Sequence, residues 1–157
     1  MAEMRWIEAR GLLLVGNLGL WGAQINQDEV IDLVLTLKTW AIVGLGNNPA
    51  RAAYGVSKLL QEKGHKIIPV YPRAEIVHGE IGYKTLTEVP LQIDVVDCFV
   101  NSNLVGSVVD EAIAIGAKAV WLQLDVIDES AINRAKEAGL YTVMDRCPAI
   151  EYRKRNL

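Results

Sequence analysis

The feature that most constrains this chain is a recurring order of helical stretch, glycine, then short apolar run. It occurs at Gly64, Gly116 and Gly139. Glycine takes the left-handed conformation without a Cβ clash, so it closes a helix cleanly. The runs that follow are Lys66 to Tyr71, Lys118 to Leu122 and Tyr141 to Met144. Short runs that are apolar on successive residues read as strands buried on both faces, and such strands belong to parallel sheets covered by helices. The crossovers between them should be right-handed. The predicted class is α/β: a doubly wound parallel sheet of about five strands with helices on both faces.

The remaining elements fit this order. Asn26, with Glu29 three residues on, reads as a capping box, and Val30, Ile31, Val34 and Leu37 recur at helical spacing, so a helix is expected to end near Lys38. Trp40 to Leu45 is the first strand, and Val56, Leu59 and Leu60 share one face of the helix after it. Gly79 to Pro90 reads as a short strand and a turn. Val95 to Val100 is a further strand. A helix from about Asn103 to Ile115 carries Leu104, Val108, Ala112 and Ile113 on one side. Asp128 is placed to cap a helix holding Ile132 and Ala135, and the charged tail Glu151 to Asn156 follows the last strand.

The chain of 157 residues fits one domain, expected over residues 26–157. Residues 1–25 stand apart as an N-terminal extension. Gly11 to Gly22 is an apolar run with Arg5 and Arg10 before it, and it is short of the roughly 20 apolar residues that a membrane helix needs. An upstream extension, a packing arm and a targeting segment all fit it. A net charge of -3 argues against a nucleic-acid binder, which shows a basic face. Two cysteines make no disulfide framework and have no metal-type spacing, which fits a reducing, cytoplasmic interior. The expected partner is a small molecule, with neither nucleic acid nor membrane; an oligomer is left open.

In an open parallel sheet, ligands bind beyond the carboxyl ends of the strands. Gly44 and Gly46 follow the first strand there, and glycine lets a backbone approach a pyrophosphate closely. The next helix offers unpaired N–H groups and the positive end of its dipole. Gly46, Asn47, Asn48 and Ala50 can present backbone donors. The full G-x-G-x-x-G pattern is broken by Pro49, so a plain strand-to-helix turn fits as well. An NAD site places Asp or Glu about 20 residues on, at the second strand's tip, for the ribose hydroxyls. Here the tip reads Val70-Tyr71-Pro72-Arg73, and the nearest carboxylate, Glu75, lies past it. Arg73 suits an extra phosphate: the 2′-phosphate of NADP or the 3′-phosphate of coenzyme A (CoA). Arg51, in the first turn of the helix, is a second phosphate candidate.

Several motifs in order go further. The run from Ala41 through Pro72, then Gly79-Glu80 with Tyr83 and Leu86, then Ile115 to Gln123, then Met144-Asp145-Arg146-Cys147-Pro148, resembles the stand-alone CoA-binding domain family. That family is similar to the N-terminal domain of the succinyl-CoA synthetase alpha subunit. The resemblance covers about Asn26 to Tyr152 and implies a Rossmann-like domain binding CoA or an acyl-CoA. By position it implies Gly44, Gly46, Asn48 and Arg51 in the loop and helix start, and Tyr71, Pro72 and Arg73 at the second strand's tip. It also implies Val100, Asn101 and Ser102 across the cleft. The chain departs from the family at Tyr71, where Asn is common, and at Val100, where Arg is common. Gln123, at the exit of its strand, is expected to point toward the ligand.

Catalysis is not expected of the chain itself. Succinyl-CoA synthetase uses a phosphohistidine in a second domain, for which there is no room here. His65 and His78 read as solvated turn and loop residues. Cys98 lies in an apolar strand and reads as packing, and Trp121 as core; Cys147, after Arg146, reads as a small buried residue or a redox thiol. A CoA-binding module comes first, an NADP-dependent oxidoreductase or other nucleotide-binding regulatory module second, and a non-nucleotide scaffold or oligomerisation domain third.

Overall fold

A computed structural model describes residues 25–157. Met1 to Gln24, and with them nearly all of the N-terminal extension, lie outside the described residues. The elements are α1 (Gln27–Val34), β1 (Thr39–Val43), α2 (Ala52–Glu62), β2 (Lys66–Val70), a 3-10 turn (Leu86–Glu88), β3 (Val95–Cys98), α3 (Ser102–Ala114), β4 (Ala119–Leu122), α4 (Glu129–Glu137), β5 (Tyr141–Val143) and α5 (Pro148–Lys154). The five strands form one sheet in the order β2-β1-β3-β4-β5, and every pairing is parallel. This is the predicted Rossmann-like α/β fold.

Alternation along the strands divides the core into two layers. Ala41, Ile68, Val96 and Val120 point to one face and meet Val105, Val109 and Ala112 of α3 and Ala131, Ile132 and Ala135 of α4. Trp40, Ile42, Ile67, Val95 and Trp121 point to the other and meet α1, α2 and α5 through Ile31, Val34, Val56, Leu60 and Tyr152. Pro69, which has no N–H to donate, sits in the edge strand β2, where that loss is tolerated.

Asn26 closes α1 with the expected capping box. The helix stops at Val34 rather than near Lys38, because the chain must turn into β1. The Asp94 carboxylate accepts from the Lys38 and Thr39 N–H groups at 3.2 and 3.1 Å, which replaces a further helical turn.

Two other expectations are corrected. In α3, Ala112 is buried as expected and Val108 and Ile113 pack half-buried against the same layer. Leu104 is exposed, however, and Val105 and Val109 complete the buried face; successive residues stand about 100° apart around the helix. Gly79 to Pro90 contains only isolated bridges, Val70 with Tyr83 and Val77 with Glu80, and the 3-10 turn. The charged tail lies largely within α5. Its Glu151 is 2 % exposed and paired with Arg155 at 2.8 Å, and Arg155 also bonds Asp32 of α1 at 2.5 Å.

His65 is likewise buried rather than solvated. Its Nδ1 donates to the Leu37 carbonyl at 2.8 Å, and its Nε2 accepts from the Tyr152 hydroxyl at 2.5 Å. Burial lowers the ring's pKa and favours this neutral arrangement, which ties β2 to α5 and to the turn after α1.

Candidate functional site

The strand order makes β1 the turning point of the sheet, with β2 on one side and β3 on the other. The chain leaving β1 enters α2 on one face, and the chain leaving β3 enters α3 on the opposite face. The two exits diverge and leave a crevice at the carboxyl edge, where ligands of such sheets bind.

A cleft of about 160 Å³ lies at this edge on the β2 side of β1, lined by Gly44, Gly46, Asn47, Asn48, Arg51, Tyr71, Arg73 and Glu75. The two glycines serve it differently. Gly44 has φ +101°, and a Cβ on it would stand 2.4 Å from the Phe99 carbonyl oxygen. It lets the exit of β1 cross tightly against β3. A Cβ on Gly46 would stand 3.0 Å from Glu75 Oε1 and 3.2 Å from the Tyr71 ring, inside the cleft itself. Gly46 therefore keeps the cradle open.

Beyond it the backbone turns toward α2. Asn48 Oδ1 accepts from the Ala50 N–H at 2.9 Å, and Arg51 is the N-cap residue with extended φ and ψ. No side chain caps α2, and its first turn holds no acidic residue. The leading N–H groups of a helix have no intrahelical acceptor, so this end can take an anion. Arg51 and Arg73 are exposed, and among the described residues no ion pair or side-chain hydrogen bond engages either guanidinium. An open cradle, free helix donors and two available cations fit a diphosphate with a further phosphate.

Seven of the expected residues thus come together: Gly44, Gly46, Asn47, Asn48, Arg51, Tyr71 and Arg73. Five do not line the cleft. Pro72 is exposed at the tip. Val100 packs on the α3 layer, and Asn101 is the N-cap residue of α3. Ser102 Oγ donates to the Asp125 carbonyl and accepts from the Ile127 N–H, so it anchors the loop after β4. Gln123 is turned inward, where its Nε2 donates to Asp97 Oδ1 at 2.6 Å. Glu75 is the lining residue that the sequence reading set aside. Its Oε1 accepts from the Asn47 N–H at 2.8 Å.

The histidines and cysteines are engaged elsewhere. His78 Nε2 lies 2.9 Å from the Tyr54 carbonyl. Cys98 is fully buried, and burial, then the neighbouring Asp97, pushes its thiol pKa well up. Cys147 is the N-cap residue of α5 and packs beside the Trp40 layer. Trp121 is core as expected, and its Nε1 donates to the Arg146 carbonyl at 2.8 Å.

Comparison with known proteins agrees with the fold. The chain is 33% identical over 122 residues to the uncharacterized protein YneT of Bacillus subtilis, covering 78% of this chain and 90% of that one. A hypothetical protein from Pyrococcus horikoshii superposes with a TM-score of 0.78 at 35% identity, covering 98% of each chain. A segment covering 58% of the chain is 32% identical to the alpha subunit of an ADP-forming acetate–CoA ligase II of Pyrococcus furiosus, of which it spans only 20%. The model of the CoA-binding domain matches residues 38–153, and the chain belongs to that family.

Proposed function

We propose that the protein binds coenzyme A or an acyl-CoA in the cleft between the exits of β1 and β2, without catalysis of its own. The carrying observation is the cleft's lining: Gly46 without a Cβ, an uncapped α2 and two uncommitted arginines, in a chain of the CoA-binding family. The diphosphate would lie along Gly46 to Arg51 on the α2 N-terminus, and Arg73 would take the 3′-phosphate. The same arginine suits the 2′-phosphate of NADP, which keeps an NADP-dependent oxidoreductase as the alternative. The CoA reading is favoured because the chain belongs to the CoA-binding family.

The test is a thermal-shift panel with CoA, acetyl-CoA, NADPH, NAD and ATP. A ligand selective for the native state stabilises it by about 2.7 kcal/mol at a hundred times its Kd. CoA or acetyl-CoA should give the largest rise in Tm. A rise with NADPH alone, or with none of the five, refutes the reading.

A further inference from the structure

We propose that Glu75 is an anion built into the chain that occupies the backbone donor a ligand phosphate would take, and so sets the affinity threshold of the cleft. The proposal rests on reading the cleft as a CoA diphosphate site and names what regulates it.

The carboxylate stands where a phosphate oxygen belongs. Oε1 accepts from the Asn47 N–H at 2.8 Å and lies 3.0 Å from the point a Gly46 Cβ would occupy. It fills the space that the glycine leaves open. With no acidic residue in the first turn of α2, the anion on the loop leading into it comes from a distant part of the chain.

The backbone beneath Glu75 is built to deliver it. Ala74 adopts a left-handed φ of 51°, and its N–H donates to the Tyr71 carbonyl at 2.8 Å. Gly82 passes so close that a Cβ on it would stand 2.2 Å from the Glu75 carbonyl oxygen. Asn47 Nδ2 donates to the Ile76 carbonyl at 3.1 Å, and Val77 is fully buried. These contacts fix the main chain of residues 74–77. The side chain itself is held at its tip by the single bond to Asn47, and among the described residues it makes no ion pair. It can therefore swing out while the segment stays in place.

The balance of charges gives the consequence. A carboxylate engages one neutral amide and leaves Arg51 and Arg73 unpaired. A ligand with one phosphate must displace a like charge for little more than the same bond. A ligand with a diphosphate and a further phosphate reaches the amide and both guanidinium groups, so it overcomes the same penalty. Displacement weakens both ligands by a similar factor, but only the weaker one is lost at low concentration. Glu75 thereby keeps small anions out of a site that would otherwise collect them.

The experiment measures Kd for CoA and for inorganic phosphate on wild type, Glu75→Gln and Glu75→Ala, each checked for an unchanged far-UV spectrum. Gln keeps the size and loses the charge. CoA should bind Glu75→Gln about tenfold more tightly, phosphate should gain by a similar factor, and Glu75→Ala should gain at least as much. Unchanged or weaker binding in both variants overturns the proposal, weaker binding being the mark of a carboxylate that holds ligand hydroxyls. If CoA binds all three proteins equally, the CoA reading stands and the role of Glu75 falls. If CoA binds none but phosphate binds the variants more tightly, the role of Glu75 stands and the CoA reading falls. Silence from both probes on all proteins overturns both.

Discussion

Asp97 offers the sharpest test of the energetics, because a carboxyl group sits in the middle of the sheet. In register it lies between Ile42 of β1 and Trp121 of β4, and it is fully buried. Gln123 donates to Oδ1, while Oδ2 has no hydrogen-bond partner. Burial raises its pKa to about 8, against a smaller lowering by the Gln123 hydrogen bond. In the unfolded chain the group titrates near its ordinary value, about 3.9. Below that value it is protonated in both states, and its contribution to stability is fully present. Between about 4 and 8 the native state holds a proton that the unfolded state has released. Stability then falls as pH rises, by about 1.4 kcal/mol per pH unit, and levels off above about 8. The whole loss is roughly 5 kcal/mol. Asp97→Asn keeps the shape and the acceptor for Gln123 but cannot ionise. In urea unfolding from pH 5 to 9, the variant should gain on wild type by roughly 2 to 3 kcal/mol between pH 6 and 8. Parallel stability curves for the two proteins across that range would refute the argument.

Three further substitutions probe the cleft. Gly46→Asp places a side chain and a negative charge against Glu75 Oε1 and the Tyr71 ring; since Gly46 is not left-handed, the fold should survive while CoA binding by calorimetry falls sharply. Arg73 is exposed, so Arg73→Ala should lose about 1 kcal/mol or less of CoA affinity, roughly fivefold at most, and most of the preference for CoA over dephospho-CoA. An equal loss for both ligands would assign Arg73 to the diphosphate instead. Gly44→Ala forces a Cβ within 2.4 Å of the Phe99 carbonyl oxygen at φ +101°, and should lower stability by roughly 2 kcal/mol or more in urea unfolding.

Much of the fold was legible because local rules and packing agree. Gly64, Gly116 and Gly139 all adopt positive φ after a helix, and the strands they introduce are largely apolar. Legibility failed where distant contacts decide. In α3, Leu104 and Val105 are equally apolar, so only the packing against β3 and β4 shows which one turns inward. At the end of α5, Glu151 and Arg155 pair at i,i+4, a spacing the sequence displays. Arg155 also reaches Asp32 of α1, 123 residues away, a contact that no local pattern contains.

The cleft shows the same division at finer grain. The rule that a carboxylate at the second strand's tip marks an NAD site measures distance along the chain. By that measure Glu75 lies too far on, while Gln123 was placed by the exit of its own strand. In space Glu75 lines the cleft and Gln123 does not. The left-handed turn at Ala74 and the bare backbone of Gly82 carry Glu75 back onto Asn47, at the first strand's exit. Gln123 is drawn inward by Asp97, a buried carboxyl whose unmet need for a donor outweighs solvent or ligand. What a residue at this edge can do is therefore set less by its place in a motif than by which unpaired group lies within its reach. Gly44, Gly46, Asn47, Asn48 and Arg51 were legible because their places are fixed by consecutive backbone, and Glu75 and Gln123 were not because theirs are fixed by partners 28 and 26 residues away.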